Sequence, residues 1–212
     1  CLSLVGSEMC IRDRQTALSL QETYDTGTII IHHHIMNIFV TDSDPLESAR
    51  VLPDKHIVKM PLETCQMLAV VFSKWYFNWG DDLLPKKDGT PYNTKKGAFR
   101  GHPCTIWAAE DIVNTAWLIQ HGFGLLQEYE QRYNKIHSCA TAMNAAEKVF
   151  EEKTGKNILC HEEVTDFAFA GPDVFKYDKS IDIFTAYKRY IASKPWVVDN
   201  YLRNPSRKPN WL

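Results

Sequence analysis

His56-Ile-Val-Lys-Met-Pro-Leu-Glu-Thr-Cys-Gln-Met-Leu-Ala-Val-Val-Phe-Ser-Lys-Trp-Tyr76 is the stretch on which the fold turns. Within it Val58, Leu62, Cys65, Ala69, Phe72 and Tyr76 recur at alternating steps of four and three, which is the spacing of one face of an α-helix. Pro61 interrupts the pattern. Proline brings no N–H and its ring crowds the preceding turn, so the helix should start at Pro61 or bend there.

Working outward, Asn37 to Thr41 reads as a short extended, buried segment. Asp42-Ser-Asp-Pro45 follows it, with a carboxylate to cap a helix and a proline near its first position. A short helix is expected over 46–51. Downstream, residues 78–103 carry Gly80, Pro85, Gly89, Pro91, Gly97, Gly101 and Pro103, which break regular structure and predict one long loop. A second apolar stripe, formed by Ala109, Ile112, Ala116, Ile119, Phe123, Leu126 and Tyr133, predicts a helix over about 105–134. Gly122 and Gly124 weaken that helix by ~1 kcal/mol each and would let a neighbouring helix come close. Further helices fit 140–153, ended by Gly155, and 180–193, with Ile181, Phe184, Tyr187 and Ile191 inward; residues 156–178 read as irregular. The expected fold is all-α: a compact single domain of about four helices over 36–212 with a long basic loop. Its two longest helices, 53–77 and 105–134, should pack together.

Composition agrees with a globular domain, with 44% hydrophobic and 24% charged residues in 212. No run approaches the ~20 apolar residues of a membrane-spanning helix, and no membrane association is expected. The formal charge is −2 and arises entirely in residues 1–35; beyond them acidic and basic residues balance. Cysteines stand at 1, 10, 65, 104, 139 and 160, widely spaced and without a Cys-x-x-Cys. That favours reduced thiols over a disulfide framework. The triplets His102-Pro-Cys104 and His137-Ser-Cys139, with Cys160-His161, match no common zinc spacing, so no metal is expected.

Residues 1–35 are expected to be a non-native or disordered extension. Ser3-Leu-Val-Gly-Ser-Glu-Met-Cys-Ile-Arg-Asp-Arg14 resembles a translated sequencing adapter and lacks the features of a targeting signal. Met36 then opens Met-Asn-Ile-Phe-Val, a credible start for the domain.

The candidate chemistry lies in the same stretch as the fold. His56, Lys59 and Glu63 fall on one stripe of the helix, nearly opposite the Val58–Tyr76 face. A carboxylate beside cationic groups suits proton abstraction or stabilisation of a developing cation; it also suits a solvated ion pair. Leu52-Pro-Asp-Lys-His-Ile-Val-Lys-Met-Pro-Leu-Glu63 resembles the active-site helix of the phage pyrimidine dimer DNA glycosylases of the endonuclease V type. That family shows Leu-Ala-Asp-Gln-His in the place of Leu52 to His56, and its catalytic glutamate falls on Glu63 without a gap. Leu125-Leu-Gln-Glu-Tyr-Glu-Gln-Arg-Tyr-Asn134 is similar to the family's later Leu-Ile-x-Glu…Arg…Asn helix, and Lys208-Pro-Asn-Trp211 to its aromatic C-terminal region.

The resemblance implies an all-helical, cofactor-free and metal-free DNA repair enzyme, a glycosylase with AP lyase activity. Such an enzyme cuts the glycosidic bond at a UV-induced pyrimidine dimer and then nicks the strand. An α-amine attacks the sugar C1′ and forms a Schiff base, assisted by the glutamate, on double-stranded DNA that is kinked with a nucleotide flipped out. Carried onto this chain, the catalytic set is Glu63 and His56 with an amine from Met36, Asn37 or Lys59. The two arginines that flank the family's glutamate fall on Leu62 and Gln66. Phosphate contacts are therefore expected from the loop, on Lys86, Lys87, Lys95, Lys96 and Arg100. The expected setting is a monomer in the cytoplasm of a phage's host cell. The alternative is a non-catalytic helical phage protein that holds nucleic acid or another partner.

Overall fold

In the computed structural model, residues 36–97, 99–159 and 162–212 are described; the expectations for residues 1–35 and for Cys160-His161 lie outside them. Asp44 starts the helical part of the chain. Its carboxylate accepts the backbone N–H groups of Leu46 and Glu47, at 2.8 and 3.0 Å, and caps α1, Pro45–Arg50. Helix α2 runs over Asp54–Phe72, α3 over Pro103–Glu110, α4 over Ile112–Tyr133 and α5 over Ala140–Thr154. Two shorter helices follow, α6 at Asp173–Lys176 and α7 at Ile183–Ala192, before a 3₁₀ turn at Pro205–Arg207. Among the described residues there is no strand, only an isolated bridge between Pro85 and Pro91. The fold is all-α, with more and shorter helices than the apolar stripes suggested. No helix among the described residues is long and apolar enough to cross a membrane.

Helices α2 and α4 are the two longest and pack directly on each other, with α1 also lying on α4. The glycines of α4 make this possible. A Cβ at Gly122 would lie 2.5 Å from Met143 Cε and 3.0 Å from Thr64 Cγ2, and one at Gly124 would lie 3.0 Å from Ala49 Cβ. Alanine at either position would force α5, α2 or α1 outward.

Two expectations are corrected. Pro61 neither starts nor ends α2, because the helix begins at Asp54 and continues past it. The Ile57 carbonyl gives up its intrahelical donor, and tertiary bonds hold the helix start instead: Asn200 accepts from the Asp54 and Lys55 N–H groups, each at 2.8 Å. The helix expected over 105–134 is broken at Asp111, whose backbone is extended and whose carboxylate caps α4 through the Val113 N–H at 2.8 Å. The break leaves no carbonyl stranded at these positions. Asn114 Nδ2 donates to Trp107 O at 2.8 Å, and Thr115 Oγ1 donates to Ala108 O at 2.6 Å. Asn134 and Gly155 end α4 and α5 in the left-handed region, at φ 51° and 66°, where asparagine and glycine are best tolerated.

Candidate active site

The site begins with residues 36–41, which are buried throughout and pair with no strand. Asn37 organises them. Its side-chain carbonyl accepts the N–H groups of Ile38 and Phe39, at 2.8 and 3.1 Å, and its amide donates to the Ala170 carbonyl. Phe39 is left at φ 45°, a conformation that bulky residues rarely adopt. Its ring lies flat on His56, with centroids 4.1 Å apart and planes 15° from parallel.

Glu63, in the middle of α2, receives this segment. Its Oε2 accepts the Asn37 backbone N–H at 3.0 Å, and its Oε1 is 3.0 Å from Lys59 Nζ. The carboxylate is buried, while the Lys59 side chain is half exposed and reaches back to it. His56 is also buried, and its Nδ1 has no hydrogen-bond partner. Burial, then the nearby charges of Lys194 and Lys59, hold its imidazole well below the usual range, so the ring is neutral at physiological pH.

The far wall comes from α7 and the turn after it. Lys194 Nζ lies 4.3 Å from the centre of the Tyr190 ring, 5.5 Å from Phe39 and 5.9 Å from Trp196. Trp196 meets His56 edge-on at 5.6 Å, and Lys55 Nζ covers it at 4.5 Å. Burial, and to a lesser degree Lys59, lowers the Lys194 amine below its usual range. Burial and then the charge of Glu63 raise the Tyr190 phenol. A charge interacts more strongly in such a partly desolvated pocket than in open water.

The structure thus gathers Asn37, His56, Lys59 and Glu63, with Met36 packed beside them against Thr105. Of the apolar stripe, Cys65, Ala69 and Phe72 are buried as its spacing suggested, but the first turns of α2 are turned the other way. Val58 and Leu62 are 45% and 43% exposed, whereas His56 and Glu63 are 6% and 5% exposed. The loop cations Lys86, Lys87, Lys95, Lys96 and Arg100 are all exposed. Lys86 and Arg100 lie over Tyr92 and Trp75, at 5.9 and 4.5 Å. Tyr190, Lys194 and Trp196 were not singled out from sequence. Only the aromatic–basic run Tyr190…Lys194-Pro-Trp196 at the end of a helix hinted at them. The two His-x-Cys triplets prove to be turns: His102 and His137 accept the Cys104 and Cys139 N–H groups through Nδ1, at 3.2 and 3.1 Å.

Asp54, two residues before His56, serves the frame. Its carboxylate is 3.1 Å from Arg132 NH1 and accepts the Arg203 N–H at 3.0 Å. Arg132 also donates to Leu52 O and Arg50 O, at 2.8 and 2.9 Å, and pairs with Glu128 at 3.1 Å. Glu128 in turn receives Arg207 of the tail at 3.0 Å. The two sequence blocks that carry the resemblance therefore meet in one buried network, which fixes the start of α2 and with it the position of His56 and Glu63.

The sequence model that describes pyrimidine dimer DNA glycosylases matches residues 36–141, half of the chain. The chain belongs to the pyrimidine dimer DNA glycosylase family. No match was found among curated proteins or among solved structures. The family match covers the segment around Asn37 and all of α2, and hence Glu63, His56 and Lys59. In this glycosylase the wall made by Tyr190, Lys194 and Trp196 comes from chain beyond the matched residues.

Proposed function

We propose that the protein releases a damaged pyrimidine from double-stranded DNA by Schiff-base chemistry at Glu63, and then cuts the strand as an AP lyase. The observation that carries this reading is the placement of nitrogen on both oxygens of one buried carboxylate: Asn37 N and Lys59 Nζ, each at 3.0 Å. An α-amine at residue 37 would occupy the place of the present Asn37 nitrogen, and one at Met36 would be a residue away. Lys59 offers a side-chain amine to the same carboxylate.

In this reading an unprotonated amine attacks C1′ as the bond from C1′ to the base breaks; the base leaves with that electron pair and takes up a proton from solvent. Glu63 accepts the proton that the nitrogen sheds and passes it to O4′ as the sugar ring opens to the iminium. The carboxylate, free again, takes a C2′ proton, and the bond from C3′ to oxygen breaks with its electron pair leaving on the 3′ phosphate, so no water is consumed in the strand-cutting step. Neutral His56 and the rings of Phe39, Tyr190 and Trp196 keep the pocket poor in water, which strengthens the carboxylate's hold on the iminium charge.

Glu63→Gln tests this directly. It keeps the side chain's size and an acceptor for Asn37 but removes the proton acceptor. Single-turnover cleavage of a duplex with one thymine dimer should fall by ~10²–10⁴-fold, with binding of the same duplex retained. Unchanged cleavage would remove Glu63 from the chemistry. A wild-type protein that binds the duplex and never cuts it would favour the non-catalytic binding protein.

A further inference from the structure

Three lysines lie around Glu63, His56 and Trp196: Lys59 at the carboxylate, and Lys194 and Lys55 at the indole ring. Lys59 is paired with Glu63. Among the described residues neither Lys55 nor Lys194 is within ion-pair distance of a carboxylate. Both instead lie against Trp196, at 4.5 and 5.9 Å from its ring centre, and Lys194 is also flanked by Tyr190 and Phe39. Aromatic faces favour a cation but do not neutralise it. An ammonium that is partly buried, repelled by a like charge and offered no counter-ion gains most from an incoming anion. Burial and Lys59 disfavour the charged form of Lys194, and a bound anion would reverse that effect.

The sequence around Glu63 sharpens the point. Where the family carries arginines beside its glutamate, this chain has Leu62 and Gln66, and Leu62 is an exposed apolar side chain. On α2 the cation beside Glu63 is therefore Lys59, whose charge the carboxylate already engages.

We propose that Lys194, with Lys55 across Trp196, is the phosphate anchor of the active site, holding a phosphodiester of the damaged strand next to Glu63. This rests on the glycosylase reading above for the identity of the strand. The anchor is assembled from the start of α2 and the turn after α7, so it joins the family-matched part of the chain to the part beyond it. The 86–100 loop then adds outlying contacts, and the phosphate nearest the chemistry is held from the other side of the pocket.

The test is the salt dependence of binding by the full chain to a duplex with one thymine dimer, and to its undamaged twin. Each phosphate contact contributes a slope of about 0.9 in log affinity against log salt. Lys194→Met, which keeps an apolar stem among the three rings, should lower the slope by about that amount. It should also weaken low-salt affinity by roughly tenfold, with the melting temperature unchanged. Lys194→Arg should restore both. Lys55→Met, on an exposed side chain that cannot disturb the core, should give a smaller loss of the same kind. An unaltered slope and affinity in both Met variants would overturn the anchor. A loss in Lys194→Met that arginine does not rescue would also overturn it, by marking a packing role. Cleavage of the dimer duplex by wild type, run alongside, keeps the two readings apart. Cutting with unchanged slopes removes the anchor alone, and absence of cutting with lowered slopes removes the chemistry alone.

Discussion

Asp54 and Glu63 are carboxylates of one helix, and their surroundings differ in a way that separates frame from chemistry. Asp54 is locked by an arginine whose side chain is fully buried and which also satisfies two carbonyls and a second carboxylate. Glu63 faces a half-exposed lysine, the nitrogen of a chain segment held in a rare conformation, and a histidine with an unpartnered nitrogen. Buried polar groups satisfied on every side rigidify a fold. A buried nitrogen without a hydrogen-bond partner, such as His56 Nδ1, is where a ligand or a proton transfer finds a place.

This contrast can be broken by exchanging the damage. Glu63→Gln should cost the most, ~10²–10⁴ in cleavage rate. It should cost little stability, because its ion pair is partly exposed and such pairs contribute ~0–1 kcal/mol. Arg132→Met should do the reverse. It leaves Asp54 without its cation and Glu128 with Arg207 alone, which costs about 3–5 kcal/mol in urea unfolding, while the protein that remains folded should still cut dimer-containing DNA. If both variants lost stability and activity in the same proportion, the division between frame and site would fail.

A smaller effect concerns pH. His121 is stacked on Trp117 with neither ring nitrogen bonded, and burial pushes its imidazole down to about 3; His56 is lowered in the same way. Both are neutral in the folded chain and take up a proton on unfolding once the pH drops below about 6.5. Stability should therefore be flat above that pH and fall below it, by about 1.4 kcal/mol per pH unit for each histidine. The decline due to His121 should continue down to about pH 3. His121→Phe should make the fall between pH 6 and pH 4 shallower, by up to about 1.4 kcal/mol per pH unit. An unchanged slope would mean that another group sets the acid limit.

The smallest change per residue is expected from the loop. Replacing Lys86, Lys87, Lys95 and Lys96 by alanine should weaken binding at low salt and flatten its salt dependence, by less than about 0.9 in slope for each lysine. Cleavage of DNA already bound should be unaffected. A full loss of binding would shift the centre of DNA recognition from the Glu63 pocket to the loop.

Much of the frame was legible because its signals are local. The Asp44 cap, the Gly155 stop and the close-packing glycines of α4 each express a short-range rule. Asp111 was legible in principle, since it is a capping residue at the head of a helix, but the unbroken apolar stripe across it masked the break. The orientation of the first turns of α2 was misread for a physical reason, although Cys65, Ala69 and Phe72 of the same stripe are buried as expected. Apolar periodicity assumes that charged groups face water, and here His56 and Glu63 are turned inward to meet Asn37 and Phe39, leaving Val58 and Leu62 outside. Glu63 itself was found through a motif. Lys194 and Trp196 were not, because their relation to Glu63 exists only after the chain beyond α5 folds back over the start of α2.

The central claim, an amine held by Glu63 that becomes bonded to the sugar, is tested most directly by borohydride reduction during turnover. Protein beginning at Met36, so that residue 36 or, after its removal, residue 37 carries the α-amine, would be mixed with a duplex carrying one thymine dimer, reduced, digested, and the adduct located by mass spectrometry. The account predicts one covalent protein–DNA species, with the sugar remnant on the α-amine at Met36 or Asn37 or on Lys59 Nζ, and its loss in Glu63→Gln. Strand cutting without any trapped species, or an adduct on an amine remote from Glu63, would contradict it.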